Sequence, residues 1–419
     1  MTKDVFFKIK NNINWRKESG FFMLLDPVDY RLYFFNKDVS RSVLSKGIII
    51  QTKGNVELIR YLKNKKVIQK INNTKITMDS EEKDFLFPLN VTIQVTDNCN
   101  LKCIYCHRNS KNTKTISFSN FKKIIKELRT LNVFNINISG GEPLLLPEIS
   151  EMVKIINDSG MKATMSSNCT LLTDDLARKL KIAGLRQMQV SIDSDNFKTH
   201  DRLRGVNNVF YKTINNILSL KKEGIPFAVV TTLVNQTPEE YEKVIDMAYK
   251  IGAFAHKTNT FISSSNSSIK NSPNSNNFRS VKKFIKVWKR KKDEYDGRMI
   301  LSAETMFSIQ MGKNYISPFD IPSILDCGCP AGFLTCAINQ KGDVLPCSFF
   351  SSGLILGNIF EDSFENIWNS KVAKEFRNRD NISVCGDCEY KLSCGGCRAR
   401  SFGEFNKIKE RDPYCFKNL

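Results

Sequence analysis

Cys99, Cys103 and Cys106 stand close together as C-x3-C-x2-C in the run Asn98-Cys99-Asn100-Leu101-Lys102-Cys103-Ile104-Tyr105-Cys106-His107. A structural zinc site takes four ligands in a closed shell, and this loop offers three. Three thiolates suit a cubane [4Fe–4S] cluster, which takes one thiolate per iron and here leaves one iron open. An open iron coordinates something that is not protein. The loop therefore reads as chemistry rather than as a structural staple.

Nine of the thirteen cysteines crowd the C-terminal end, at Cys327, Cys329, Cys336, Cys347, Cys385, Cys388, Cys394, Cys397 and Cys415. Met1 to Asn12 is charged and mixed, without the apolar stretch of a signal peptide, so a cytoplasmic location is expected. Thirteen cysteines in a cytosolic chain argue for metal or redox chemistry over disulfides. A pair of zinc knuckles is the competing reading. The five residues between the C-x2-C units are fewer than zinc ribbons usually carry.

Elements that would hold these residues follow from Leu89 onward. Apolar strand-like runs at Val91–Val95, Val133–Ile138, Lys162–Ser166, Gln187–Ile192, Pro226–Leu233 and Phe254–His256 alternate with amphipathic stretches. Phe121, Ile124, Ile125, Leu128 and Leu131 share one helical face, and Thr237-Pro238-Glu239-Glu240 is a capping box. Six βα units in order predict an α/β fold, a partial (β/α)6 TIM-like barrel with reactive groups at the C-terminal strand ends. The Cys99 loop lies at the end of the first strand. Before the barrel, Phe21–Leu25 and Tyr30–Phe35 flank a turn at Asp26-Pro27-Val28-Asp29, and helices are expected from about Asp38 and over Asn55–Asn64, giving a small α+β unit. After it, the Ser/Asn-rich 263–278 stretch reads as a surface segment, followed by a basic helix over Val281–Lys292.

The 419 residues carry a net charge of +20, spread end to end with Lys and Asn. Solvated faces account for most of it, and attraction to an acidic peptide or an acidic electron-donor protein is the functional reading. No aromatic-interleaved basic motif points to nucleic acid, and no run of about 18 apolar residues points to a membrane.

With Tyr105 before its last cysteine, the C-x3-C-x-Φ-C loop resembles the signature of the radical S-adenosylmethionine (radical SAM) family. Gly140-Gly141-Glu142-Pro143 after the second strand resembles that family's second motif. The resemblance implies an open iron that chelates S-adenosylmethionine. Gly140 and Gly141 would let the backbone approach a ligand, and Glu142 would meet the methionine ammonium. Ser167 and Asn168 match a cofactor-holding pair, followed by Cys169 where relatives carry Gly. Ser191 and Asp193 fall where the family contacts ribose or carboxylate. Arg204 fits a clamp on the methionine carboxylate, while Tyr105 and Val234 are candidate adenine contacts.

Gly342-Asp343-Val344-Leu345-Pro346-Cys347 and the block from Cys385 to Cys397 resemble the SPASM extension, which implies two auxiliary [4Fe–4S] clusters and three clusters in all. Carried over, one cluster uses Cys329, Cys336, Cys347 and Cys397, and the other Cys385, Cys388, Cys394 and Cys415. Cys327 is surplus or exchanges with Cys329. The block ends with x2 where the family commonly has x3. The N-terminal unit resembles a winged-helix-like RiPP recognition element, which adds the leader of a precursor peptide to a sheet edge.

The expected organisation is a leader-binding unit over 1–86, a barrel over 87–262, a linker and bridging helix over 263–325, and a SPASM domain over 326–419. The resemblance implies a peptide maturase that abstracts hydrogen with a 5′-deoxyadenosyl radical, fed by flavodoxin or ferredoxin, and most like enzymes that join Cys sulfur to an α-carbon. A carbon–carbon crosslinker, a protein or small-molecule maturase, and a non-catalytic metal-binding protein stand as alternatives.

Overall fold

A computed structural model describes residues 6–10, 13–18, 21–25, 32–35, 39, 42–44, 48–51, 55–71, 87–107, 113–264, 278–309, 328–350 and 353–418. The expected turn at Asp26–Asp29, most of the helix from Asp38 and Cys327 lie outside the described residues.

The N-terminal unit holds two antiparallel sheets. Strands β1 (Phe6–Ile9), β5 (Val43–Leu44), β6 (Ile48–Ile50) and β7 (Ile68–Ile71) run in the order β5-β6-β1-β7, while β2 (Trp15–Glu18), β3 (Phe21–Leu25) and β4 (Leu32–Phe35) form the second sheet. The helix Val56–Asn64 buries Leu58, Ile59 and Leu62 against Phe7, Ile9 and Val67. Asn14 donates to the Val133 carbonyl at 2.7 Å and Arg16 to the Phe87 carbonyl at 3.0 Å. Both carbonyls precede barrel strands, so the unit meets the barrel at the end opposite the Cys99 loop.

Strands β8 (Asn90–Gln94), β9 (Asn135–Ser139), β10 (Lys162–Ser167), β11 (Leu185–Ser191), β12 (Phe227–Leu233), β13 (Ala255–Thr260) and β14 (Ile300–Ala303) are parallel neighbours in sequence order. The helices between them start and stop on local signals. Ser117 accepts the Asn120 amide before Phe118–Thr130, Thr237 and Glu240 close their capping box, and Gly184 ends Asp174–Ala183 at φ 100°.

Alternation along each strand sorts the two faces. Ile136, Ile138, Met165, Met188, Val190 and Val229 join the helix-side core. The opposite face is polar: Asn137 bonds Ser166 at 3.1 Å and Asn135 bonds Thr164 at 3.4 Å. This barrel has a hydrophilic lumen where a closed barrel would pack branched apolar residues.

Two findings differ from the sequence-based expectation. The segment after residue 263 contributes a seventh parallel strand, β14, so it is part of the barrel and more than a linker. The cysteine-rich region is continuous with the sheet as well. Its β15 (Thr335–Ile338) pairs parallel with β8, and β16 (Asp343–Leu345) and β17 (Gly357–Asn358) extend the edge antiparallel. Strands of three or four residues separated by irregular chain carry too little periodicity to be read from sequence. No helix among the described residues is long and apolar enough to cross a membrane.

Candidate active site

The Cys99 loop leaves β8 and is gripped from three sides. Gly141 and Glu142 donate their amides to the carbonyls of Thr96 and Asn98, at 2.6 and 2.8 Å. A Cβ on Gly140 would stand 2.8 Å from the Thr96 carbonyl oxygen, and one on Gly141 would overlap the Asn98 backbone. The glycines thus admit the cysteine loop itself, where a close approach to ligand was expected. On the other side, Lys102 and Ile104 donate to the carbonyls of Arg204 and Leu203 at 3.1 and 3.0 Å. Residues 197–204 form a short helix that ends at Arg204.

Glu142 is buried, and its carboxylate accepts from Leu144 N at 3.0 Å, Ser167 Oγ at 2.7 Å and Asn168 N at 2.8 Å. Burial pushes its carboxyl up, against those donors. It ties the second strand end to the third. Ser167 and Asn168 serve the same junction: the Asn168 amide reaches Asn100 of the cysteine loop at 2.9 Å. Cys169 follows in the left-handed region at φ 63°, fully buried, which explains why glycine suits that position.

Asp193 is also enclosed. It accepts from Tyr105 Oη at 2.6 Å and Thr232 N at 3.0 Å, and pairs with Arg204 Nε at 2.9 Å. Arg204 Nη1 lies 3.9 Å from Cys103 Sγ, and its guanidinium stands over the Tyr105 ring. Asp193 and Arg204 were expected on ribose and methionine carboxylate. Here they form one buried network that ends at the Cys103 thiol, with Tyr105 as a further member. Burial pushes Cys103 up to about 12, and the Arg204 cation opposes that shift in favour of the thiolate that iron requires. His200 accepts the Asp193 amide on Nδ1 and is held down at about 4 by burial, so it is neutral near pH 7. Ser191 ends β11 half-buried, whereas Val234 is buried in the turn after β12.

The C-terminal thiols fall into two groups. Cys329, Cys347 and Cys397 pack around Ala337 and Phe350, and the Cys329 thiol raises the pKa of the other two beyond the larger effect of burial. Cys385, Cys388, Cys394 and Cys415 line one small cavity. These four are the residues that the resemblance assigns to one auxiliary cluster. Cys336 departs from the first. It neighbours Ala337 on β15, so its side chain takes the opposite face, in the helix-side core with Val91 and Trp368, and burial alone raises its thiol. Among the described residues, no three His, Cys, Asp or Glu side chains converge on a single-ion site. The fit to clusters therefore rests on soft thiolate donors and on their grouping.

One lumen residue escaped the sequence reading. Lys257 sits in the middle of β13, between two partner strands, yet is exposed, so its side chain opens into the lumen. Burial of the surrounding site lowers its pKa, opposed by Glu304 and Cys347. A lysine inside an otherwise polar strand carries no sequence signal of its own.

Comparison with known proteins matches residues 93–248 to the radical SAM superfamily and 327–389 to the SPASM iron–sulfur cluster-binding domain. The AdoMet-dependent heme synthase of Methanosarcina barkeri is 29% identical over 340 residues, covering 78% of this chain and 96% of that protein. The antilisterial bacteriocin subtilosin biosynthesis protein AlbA of Bacillus subtilis is 27% identical, covering 81% and 74%. The structure of Streptococcus suis SuiB bound to precursor peptide SuiA superposes with a TM-score of 0.71 over 98% of both chains at 17% identity. A radical SAM domain binds S-adenosylmethionine and a [4Fe–4S] cluster, and a SPASM domain binds auxiliary clusters. The chain thus carries a radical SAM domain over residues 93–248 and, after it, a SPASM iron–sulfur cluster-binding domain over 327–389.

Proposed function

We propose that this enzyme modifies a ribosomally made precursor peptide, joining a Cys sulfur to an α-carbon within it. The observation that carries the peptide reading is the N-terminal unit. The fold likeness to SuiB, recorded with its precursor peptide, extends across that unit, and AlbA belongs to bacteriocin biosynthesis. An exposed edge at β7 or β4 would take a leader as an added strand. Because the unit meets the barrel below β8 and β9, the chain between leader and reacting residue must run the height of the sheet, about 17 Å for five residues.

Cys99, Cys103 and Cys106 would hold the [4Fe–4S] cluster that takes S-adenosylmethionine, and together these groups would supply radical hydrogen-abstraction chemistry at the substrate. The protein's own residues do the rest. Gly140, Gly141 and the 203–205 backbone fix the loop, Arg204 holds the Cys103 side toward thiolate, and the polar lumen receives the substrate segment. Cys329, Cys347 and Cys397 would hold one auxiliary cluster, with Cys336 removed from that set, and Cys385, Cys388, Cys394 and Cys415 the other. A cytoplasmic flavodoxin or ferredoxin, attracted by the basic surface, supplies the electron.

Co-expression with small peptides encoded beside the enzyme, followed by mass spectrometry, tests the reading. A loss of two hydrogens per link, with fragmentation placing the link at Cys sulfur, is the expected result. A carbon–carbon link would correct the crosslink type. Conversion of a porphyrin or another small molecule, with every such peptide unchanged, would overturn the peptide assignment in favour of chemistry like that named for the heme synthases.

A further inference from the structure

A cleft of about 560 Å³ lies along the helix Phe197–Arg204, with Phe197, Lys198, Asp201, Arg202 and Gly205 in its lining. At Gly205 it closes on the cysteine loop, where a Cβ would stand 2.1 Å from the Lys102 carbonyl oxygen. The carbonyls of Leu203 and Arg204 accept from the amides of Ile104 and Lys102, on either side of Cys103. Backbone hydrogen bonds thus join the cleft to the loop that carries Cys103.

The surface around the cleft is cationic and aromatic. Lys102, Lys198 and Arg202 are exposed, and none of the three is in an ion pair among the described residues. The Arg202 side chain has one weak bond, to Asn235 at 3.4 Å. Asp201, the carboxylate in the lining, is buried and accepts from the amides of Asn208 and Phe210 at 2.5 and 2.9 Å. Asp195, just before the helix, is half-buried and outside the lining. Phe197 and Tyr211 are 38% and 52% exposed, with ring centres 5.5 Å apart. Open aromatics rimmed by unpaired charge have the composition of a docking surface.

We propose that this cleft docks the electron donor, a small acidic one-electron carrier protein, with carboxylates on Lys102, Lys198 and Arg202 and an apolar edge on Phe197 and Tyr211. The proposal rests on the donor reading given above and names its surface. Cations without counter-ions steer an anionic surface toward them. The net charge of +20 attracts such a protein generally, and the backbone contact with the cluster loop is what assigns it to this cleft. The reduced carrier loses one electron and the cluster of Cys99, Cys103 and Cys106 gains it, with no bond made or broken in either protein.

The test uses the reconstituted full-length protein with an acidic flavodoxin and an acidic ferredoxin, each reduced by its NADPH-dependent reductase, and dithionite as the carrier-free control. Calorimetry measures carrier binding at low and moderate salt, and chromatography measures 5′-deoxyadenosine. Lys198→Glu combined with Arg202→Glu should weaken binding about tenfold or more and lessen its salt dependence. Carrier-driven 5′-deoxyadenosine should fall to match, while the dithionite-driven rate stays at wild type. Phe197→Ser should weaken binding by a smaller factor at either salt concentration. Lys126→Glu, the same charge change on an exposed position of the helix Phe118–Thr130, should leave binding and both rates unchanged. Carrier binding and rates equal in wild type and the double variant overturn the cleft alone. Turnover with dithionite but with neither carrier overturns the donor reading as well. Should the double variant lose dithionite-driven turnover too, Lys198→Gln with Arg202→Gln decides: weaker binding supports the cleft and unchanged binding overturns it. A wild-type dimer in sedimentation that the double variant makes monomeric would give this face to a second copy of the chain and overturn the proposal.

Discussion

The loop bearing Cys99, Cys103 and Cys106 and the region bearing the C-terminal cysteines both present thiols, yet the fold holds them differently. The first is an excursion from a regular strand. Backbone carbonyls, two glycines and the Glu142 and Asp193 carboxylates lock its inner side, while Cys99 is exposed on the outer one. The second has little regular structure, and several of its thiols are raised to about 11 or 12 chiefly by burial. An iron that must admit a cofactor needs a rigid loop with an open face. Clusters that only pass electrons are better enclosed, where side-chain charges act on them through little water.

That contrast can be broken most sharply at Cys103. Cys103→Ser should abolish 5′-deoxyadenosine formation, a loss of at least about 100-fold, while reconstituted protein falls from about 12 irons to about 8. Iron analysis and chromatography of the nucleoside check both numbers. Loss of all iron would show the two regions to be one folding unit.

Gly141→Ala comes next. Its methyl group would push the Asn98 backbone and shift the loop. Cofactor cleavage should drop roughly tenfold or more, since an ångström-scale displacement of a reacting group carries costs of this order. The auxiliary EPR signals should stay unchanged.

Cys336→Ala probes the opposite side. Iron content should match wild type, and only stability should fall, by about 1 kcal/mol for a small buried side chain. A loss of about four irons would return Cys336 to the ligand set.

The smallest effect concerns pH. His200 and His256 are buried neutral, held down at about 4 and about 3 by burial. The unfolded chain, titrating near 6.5, binds protons that the folded chain refuses, so stability falls as pH drops below about 6.5, by up to about 1.4 kcal/mol per unit for each histidine. Denaturant titrations between pH 7 and 5 measure the slope. His200→Gln should flatten it.

The barrel was legible because its signals are local. Alternating apolar residues, caps such as Thr237–Glu240 and stops such as Gly184 act within a few residues of where they are written. The short helix 197–204, β14 and β15 were not, since their stability comes from partners far along the chain. The same distinction divides the site. Cysteine type and spacing by themselves pointed to a three-thiol loop suited to a cluster with one open iron and to a cysteine-dense C-terminal region.

Only the tertiary structure decided how those residues are used. It turned Glu142 inward as a pin between strand ends, tied Arg204 to Asp193 and Cys103, and opened Lys257 into the lumen. It also placed Cys336 on the wrong face of its strand for a cluster and set the cleft at Gly205 against the Cys103 loop. The physical reason is common to all of these. A residue's chemistry is intrinsic, but its charge, exposure and partners depend on which distant backbone the fold brings beside it.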